Sequence, residues 1–149
     1  MGVYFEECNI GDEWISASRT LDHADVMSFA GLTGDYAMVH TSEEFAKKSI
    51  FGKRFAHGML GLSVSIGLLF RLGLIDGTGL AFLNSNVNFT GPIFLGDTVH
   101  IKVTVKSKRE TKKADRGIVI FGIQMVNQRD EVVQDGEHTM IMARESGSS

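Results

Sequence analysis

The fifteen residues that follow His57 and Gly58, MLGLSVSIGLLFRLG, are apolar around almost the whole circumference of a helix. Other elements must cover such a helix on every side, and at about 1.5 Å per residue it would extend roughly 22 Å. A bilayer span needs about 20 apolar residues, whereas this run is shorter and is interrupted by Ser63 and Ser65. We therefore predict one long buried helix that begins near residues 57–58 and ends at Gly73.

The chain beyond Gly79 has the pattern of strands. In one run, Val99, Ile101, Val103 and Val105 alternate with polar residues, so one face is apolar and the other polar. Short links join four β-rich runs and predict an antiparallel meander: LAFLNSNVNF, DTVHIKVTVKSK, GIVIFGIQMVN and EVVQDGEHTMIMAR. Only the long helix is apolar enough to cover this sheet. The predicted fold class is therefore α+β, an antiparallel sheet wrapped around one long buried helix.

The first half of the chain predicts shorter elements. Residues 14–20, WISASRT, alternate well enough for a short strand. Thr20 is the predicted cap of a first helix, and Asp22 and Asp25 lie near its positive end. Thr41 and Glu44 form a predicted capping box for a second helix, SEEFAKKS. The apolar stretch between these two helices carries no helix-start signal, so we predict a loop there.

The length of 149 residues fits a single domain spanning residues 1–149, with a disordered tail over about residues 145–149. A net charge of -3 disfavours nucleic acid as a partner. The single cysteine, Cys8, excludes a disulfide within one chain and is expected to be a small core hydrophobe in a reducing compartment. The N-terminus has no apolar signal-peptide region. We expect a soluble cytoplasmic protein without membrane association.

Two titratable residues, Asp35 and His40, lie five positions apart in the predicted apolar loop. A carboxylate and an imidazole that converge on one water form a general acid–base pair, and the imidazole titrates near neutral pH. Each residue also has a simple structural interpretation. Asp35 fits a turn after Gly34, and His40 fits a histidine at a helix N-terminus that is satisfied by backbone groups.

A glycine, Gly58, opens the long helix and leaves the first N–H groups accessible. Free N–H groups at a helix start, aided by the helix dipole, suit a developing oxyanion. The alternatives are a tight turn for Gly58 and a surface cap for His57. Ser63 lies five residues into the helix, where a hydroxyl usually bonds to the preceding turn.

Three blocks of this sequence, in this order, resemble those of MaoC-like dehydratases, the family of R-specific enoyl-CoA hydratases. GDYAMVH resembles the signature G-D-x-N-P-x-H, and FGKRFAHGMLGLS resembles the block that follows it. NFTGPIFLGDTV is similar to the third block, F-x-x-P-V-F-x-G-D-x-V. The resemblance covers about residues 14–144 and implies the hot-dog fold, in which an antiparallel sheet wraps one long helix.

The resemblance implies a reaction and a set of site residues. The family adds water across the C2=C3 bond of a trans-2-enoyl thioester to give an R-3-hydroxyacyl thioester, and the reverse is a dehydration. Asp35 and His40 match the catalytic pair. We expect Asp35 to accept the proton of water and His40 to deliver one to C2, and the alternative is that the two residues share both transfers. Gly58 matches the glycine whose N–H meets the thioester oxygen, and the expected substrate contacts are Ser63, His57 and Met59.

The resemblance also implies an acyl-CoA or acyl-carrier-protein thioester as substrate, a place in fatty acid metabolism, no cofactor, and a homodimer formed edge to edge. One departure is Ala37-Met38 in place of the family's Asn-Pro. Two other functions remain open: acyl-thioester hydrolysis, since thioesterases share the fold, and a non-catalytic acyl-thioester-binding subunit.

Other polar residues are expected to be structural or solvated. No H-x-x-H motif or Cys/His cluster indicates a metal site. His23, His100 and His138 are predicted to be solvated. The charged segment KSKRETKK and Arg116 are predicted to form a solvated hairpin end, with contact to a CoA 3′-phosphate as the alternative.

Overall fold

A computed structural model describes residues 1–145, and the rest of the predicted disordered tail lies outside the described residues. The helices are α1 (His23–Thr33), α2 (Met38–Thr41), α3 (Glu43–Ala46) and α4 (Gly58–Arg71), preceded by a 3-10 turn at Phe5–Glu7. The strands are β1 (Glu13–Ile15), β2 (Arg19–Thr20), β3 (Gly79–Phe89), β4 (Thr98–Glu110), β5 (Arg116–Val126) and β6 (Val132–Ala143).

The sheet has the strand order β1-β4-β5-β6-β3, and β2 pairs with β4. All the pairings are antiparallel, and β4, β5 and β6 are joined by hairpins as predicted. The prediction of a four-strand meander is wrong for β3, because β3 pairs with β6 rather than with β4. The link from β3 to β4 is not a hairpin: its Ile93 carbonyl accepts a hydrogen bond from Ala56 N at 2.7 Å. This link therefore runs past the start of α4 towards the opposite edge of the sheet.

The Asp97 side chain fixes the C-terminal end of the β3–β4 link through hydrogen bonds and an ion pair. Its Oδ2 accepts from Phe94 N at 3.0 Å, and its Oδ1 accepts from Gln128 Nε2 at 2.8 Å. The Arg129 guanidinium adds an ion pair at 3.1 Å. The acidic residue of the third sequence block is thus buried and structural, since it joins the β3–β4 link to the β5–β6 turn.

Helix α4 lies against the sheet with Leu60, Val64, Leu68 and Leu69 in the hydrophobic core. The predicted helix is confirmed, but the prediction that it is buried on every side is wrong for the single chain. A stripe at helical spacing stays exposed: Met59, Ser63, Gly67 and Phe70. We call this stripe the open face of α4.

Strand β3 is exposed along most of its length, since it has a strand partner on one edge only. Leu80, Phe82 and Leu83 are 49%, 42% and 50% exposed. These apolar side chains and the open face of α4 leave an incompletely covered region in the single chain.

Several local predictions in the first half are corrected. Asp22, not Thr20, caps α1 and forms a capping box with Asp25, because Thr20 belongs to β2 and pairs with Thr98. The predicted strand over residues 14–20 is divided between β1 and β2. At the break, the Ser16 hydroxyl accepts a hydrogen bond from Ile101 N at 2.9 Å.

The segment around His40 also differs from its prediction. Residues 38–41 form the one-turn helix α2 instead of a loop, and Thr41 is its last residue. Ser42 therefore caps α3, where its hydroxyl accepts from Phe45 N at 3.2 Å. This second helix is only four residues long.

The predicted burial of Cys8 is confirmed, whereas the predicted exposure of His138 is wrong. Cys8 is fully buried in the core as predicted, and burial raises the pKa of its thiol to about 11. His138 was predicted to be solvated but is fully buried. Alternation along β6 places it on the inward face with Met140 and Met142, where Phe82 covers it at a ring-centroid distance of 5.1 Å. Neither ring nitrogen of His138 has a hydrogen-bond partner within residues 1–145.

None of the helices described over these residues is both long and apolar enough to span a membrane.

Candidate active site

The loop that carries Asp35 is built by the end of α1. Gly34 adopts a left-handed conformation with φ 80°, and its N–H donates to Ala30 O at 2.8 Å. The chain then leaves the helix, and Asp35 N donates to the Thr33 hydroxyl at 3.1 Å. The Asp35 carboxylate accepts from Ala37 N at 3.1 Å. Asp35 is thus both the turn-former expected after Gly34 and an exposed carboxylate next to α2.

His40 lies in α2 and is only 8% exposed. Its Nδ1 lies 2.7 Å from the Phe55 carbonyl oxygen. A carbonyl only accepts, so Nδ1 carries the proton and Nε2 has a free lone pair when the ring is neutral. Burial lowers the pKa of His40 below its ordinary value of 6.5, and His57 adds to this, while the bond to Phe55 and the charge of Asp35 act in the opposite direction.

His57 is buried behind His40. The two rings stack with centroids 3.9 Å apart, and Phe29 covers His57 at 4.9 Å. His57 Nε2 lies 2.9 Å from the Asp35 carbonyl oxygen, so it donates there and joins the Asp35 loop to the start of α4. The expected contact of His57 with substrate stays a prediction, since this ring is not part of the cavity wall described below.

Asp35, His40 and His57 each present a potential metal-ligating atom, and these atoms lie within 4.8 Å of one another. The two imidazole rings lie over each other with their planes inclined by 33°. One nitrogen of each ring is also bonded to a carbonyl oxygen. The cluster therefore suits proton transfer better than it suits a metal ion.

A cavity of about 470 Å³ opens beside His40. Its wall combines His40 and Gly58 with Gln134, three phenylalanines and the β3–β4 link: Phe51, Phe55, Phe89 and residues 90–93, with Ala56 between them. Two of the three predicted catalytic residues, His40 and Gly58, thus share one apolar cavity. Asp35 is not part of the cavity wall, but its carboxylate lies within 4.8 Å of a ring nitrogen of His40.

Gly58 is the first residue of α4, as predicted. The first hydrogen bond of this turn runs from Gly61 N to His57 O at 3.2 Å, so the preceding N–H groups are free of the helix ladder. No acceptor for Gly58 N–H is found in the described part of the chain. A Cβ at this position would lie 2.9 Å from Phe89 Cδ1. A side chain at residue 58 would therefore force the Phe89 ring to move.

Two expected substrate contacts, Ser63 and Met59, lie elsewhere. The Ser63 hydroxyl donates to Met59 O at 2.8 Å, as a serine inside a helix commonly does. Both residues belong to the open face of α4 and are outside the cavity wall of the single chain. Their contact with substrate stays a prediction.

Gln134 on β6 was missed by sequence reasoning. It is 4% exposed, lies on the cavity wall and donates from Nε2 to Gly58 O at 3.0 Å. One signal was available: Gln134 shares the period-two face of β6 with the apolar Met140 and Met142, where a polar residue is unexpected.

The sequence and the fold of this chain are similar to those of known proteins. Residues 8–124 match the sequence profile of the family described as MaoC like domain. The chain is 32% identical over 135 residues to a 3-hydroxybutyryl-CoA dehydratase of Methylorubrum extorquens, covering 91% of this chain and 81% of the relative. It is 36% identical over 111 residues to an (R)-specific enoyl-CoA hydratase of Rhodospirillum rubrum, covering 74% of each. It spans only 31% of the length of Protein MaoC of Klebsiella aerogenes, to which it is 37% identical.

Solved structures share the fold. The chain superposes on a MaoC-like dehydratase from Rhodospirillum rubrum with a TM-score of 0.88 and 30% identity, covering 97% of this chain and 99% of the other. The predicted hot-dog fold is thereby confirmed.

Proposed function

The chain belongs to the family of MaoC-like domains, and on that premise we propose that it is a hydro-lyase that converts trans-2-enoyl-CoA thioesters into R-3-hydroxyacyl-CoA and catalyses the reverse dehydration. The observation that carries the proposal is the shared cavity: His40 and the N-terminal glycine of α4 lie on one apolar wall, with the Asp35 carboxylate within 4.8 Å of the imidazole.

The residues support a simple sequence of steps. The attacking water donates hydrogen bonds to the Asp35 carboxylate and to the unprotonated Nε2 of His40. As the C3–O bond forms, one water proton passes to the base, and the C2=C3 electron pair moves towards the thioester carbonyl. The developing enolate oxygen accepts a hydrogen bond from Gly58 N–H. The enolate then collapses and takes the proton at C2, so the atoms of one water are added and the enzyme returns to its starting state.

The hydrogen bond of His40 bears on which residue carries out each proton transfer. The sequence predicted that Asp35 accepts the water proton and that His40 delivers one to C2. The hydrogen bond from Nδ1 to Phe55 O leaves neutral His40 without a proton on Nε2. This favours a route in which His40 first takes the proton from water and then returns it to C2, while Asp35 orients the water. The reaction needs only acid–base groups, and we assign it no cofactor.

The apolar cavity with three phenylalanines suits the acyl portion of a thioester. Relatives of the chain are named for CoA thioesters and for acyl-carrier-protein thioesters, and we propose one of these as the substrate, in fatty acid metabolism. The single buried cysteine fits the reducing cytoplasm that we propose as its location.

We also propose a homodimer. Strand β3 has an unpaired edge, and its apolar side chains and the open face of α4 are uncovered in the single chain. A second copy would cover both, and long free edges tend to pair. Asp35 and His40 of each site come from one chain, because they meet within the single chain described here.

One assay tests the function against its alternatives. Crotonyl-CoA and a longer enoyl-CoA are followed by loss of enoyl absorbance, by release of free thiol and by chiral analysis of the product. The proposal expects loss of absorbance, R-3-hydroxyacyl-CoA and no thiol. Thiol release without hydration would identify a thioesterase. Binding without turnover would identify the non-catalytic subunit that the change to Ala37-Met38 leaves open.

A further inference from the structure

Gly58 is contacted by two residues that lie side by side on the adjacent strands β3 and β6. Phe89 and Gln134 are register partners in the β3–β6 pair. The Phe89 ring lies against the Gly58 Cα, where a Cβ would be 2.9 Å from the ring. The Gln134 amide donates to Gly58 O at 3.0 Å. The first residue of α4 is therefore held by a single cross-strand pair.

The helix is shaped to admit the Gln134 amide. Gly61 lies one turn into α4, and a Cβ there would overlap Gln134 Nε2 and lie 2.7 Å from Ile93 Cδ1. Any side chain at residue 61 would push the amide away from Gly58. Two glycines in the first turn, Gly58 and Gly61, thus leave space for the same cross-strand pair.

The stability of the fold does not explain a glutamine at this position. Gln134 Oε1 is buried and has no hydrogen-bond partner within the described chain, and an unpaired buried acceptor is destabilising. Methionine has a similar length and would fill the space without this penalty. The feature that a methionine would lose is the donor to Gly58 O.

We propose that Gln134 is a positioning residue for the oxyanion site: its amide fixes the Gly58–Met59 peptide through Gly58 O, and this orients the adjoining His57–Gly58 peptide so that Gly58 N–H points at the thioester oxygen. This inference rests on the proposed hydration. The Gly58 N–H stabilises the transition state, in which the thioester oxygen gains charge, more than it stabilises the bound substrate. Loss of the donor therefore lowers kcat and leaves KM nearly unchanged.

The test compares Q134M and Q134E with Q124M, a control on the neighbouring strand β5 outside the cavity wall. For Q134M we expect parental or higher thermal stability, a kcat lower by about 10-fold or more, and a KM within about 3-fold of the parent. Q124M should keep the parental kcat. A folded Q134M with the parental kcat would overturn the proposal.

The Q134E variant adds the pH dependence of kcat as a second measurement. A residue that only fills space would not change this pH dependence. The protonated carboxyl of Q134E can donate a hydrogen bond to Gly58 O. Its carboxylate form has no proton to donate and repels that oxygen. The ratio of the Q134E kcat to the parental kcat should therefore rise as pH falls. A ratio that stays flat with pH would overturn the proposal even if Q134M failed to fold.

The failure of the proposed function can be separated from the failure of this inference. If the parent hydrates no enoyl-CoA, the function is wrong, and the NMR order parameter of the Gly58 backbone amide then decides the inference. In Q134M this order parameter should be lower than in the parent and in Q124M. An unchanged order parameter would show that Gln134 does not hold the glycine.

Discussion

The ring of His57 stacks on that of His40 with centroids 3.9 Å apart and planes inclined by 33°. The same His57 donates to the Asp35 carbonyl oxygen at 2.9 Å. One buried side chain therefore contacts both members of the proposed catalytic pair, and the residue that follows it, Gly58, opens α4. The acid–base pair and the oxyanion site are joined through adjacent residues of the chain.

The first prediction concerns pH. His40 accepts a proton in the proposed hydration, so it must be neutral, and burial lowers its pKa below 6.5. The kcat/KM for crotonyl-CoA should therefore stay level as pH falls through 6.5 and decline only at lower pH. His57→Gln should move this decline to higher pH, because His57 contributes to the lowered pKa. A half-maximal rate at or above pH 6.5 in the parent would contradict the assignment.

The second prediction concerns the pair itself. Asp35→Asn and His40→Ala should each lower kcat by about 10²-fold or more, as expected for the loss of a general acid–base group. Circular dichroism should show the parental fold in both. His100→Ala removes a half-buried histidine outside the cavity wall and is the matched control. Near-parental turnover in either of the first two variants would remove that residue from the mechanism.

The third prediction concerns the close approach of Gly58 and Phe89. Gly58→Ala places a methyl group against the Phe89 ring, and such overpacking costs about 1–3 kcal/mol. Urea unfolding should show this loss, and hydration should fall with it. The double variant Gly58→Ala/Phe89→Ala should lose less than the sum of the two single changes, because they share one contact. Additive losses would show that the contact does not limit residue 58.

The fourth prediction concerns His138, whose two ring nitrogens are buried without partners. His138→Leu should raise the free energy of unfolding by about 1 kcal/mol or more at neutral pH, since the unpaired polar group is removed. Burial lowers the pKa of His138 below 6.5, so below that pH the unfolded chain binds more protons than the folded one. The parent should lose stability as pH falls below 6.5, and His138→Leu should lose less. Equal pH dependence in the two proteins would refute this account.

The fifth prediction concerns assembly. Sedimentation equilibrium at micromolar concentration should give twice the chain mass of 16.3 kDa. Leu83→Glu places a charge on the exposed strand β3 and should shift the protein towards the monomer. Ile10→Glu changes a residue that is 66% exposed on a distant turn and should leave the mass unchanged. A fully active parent with the mass of one chain would exclude the dimer.

Much of the architecture was predictable because it depends on local periodicity. The alternation of Val99, Ile101, Val103 and Val105 predicted β4, and the continuous apolar run predicted α4. Both signals come from burial, which acts on every residue of an element. The helix caps were less predictable, since Thr20 and Asp22 are both residue types that cap helices. Pairing of Thr20 with Thr98 on β4 decided between them.

The parts that could not be predicted depend on contacts between distant segments. Asp35, His40 and Gly58 were candidates both from their residue types and from the resemblance of the motifs, and the structure places the Asp35 carboxylate within 4.8 Å of a ring nitrogen of His40. The bonds from His57 to the Asp35 loop and from Gln134 to Gly58 join residues 22 and 76 positions apart. Local periodicity contains no information on such pairs. The exposed stripe on α4 was missed for a related reason, because an apolar helix does not reveal whether its own chain or another covers it.

The pairing of β3 with β6 has a consequence for synthesis. The ribosome completes β3 at Phe89, but its partner is complete only at Ala143. At about 5–20 residues per second, the strand waits roughly 3–10 s for that partner. During this interval Leu80, Phe82 and Leu83 are part of a nascent chain that has no β6 to pair with. A ribosome-bound chain arrested before Val132 would present β3 with both edges unpaired, which makes it the natural point of contact for a chaperone on the growing chain.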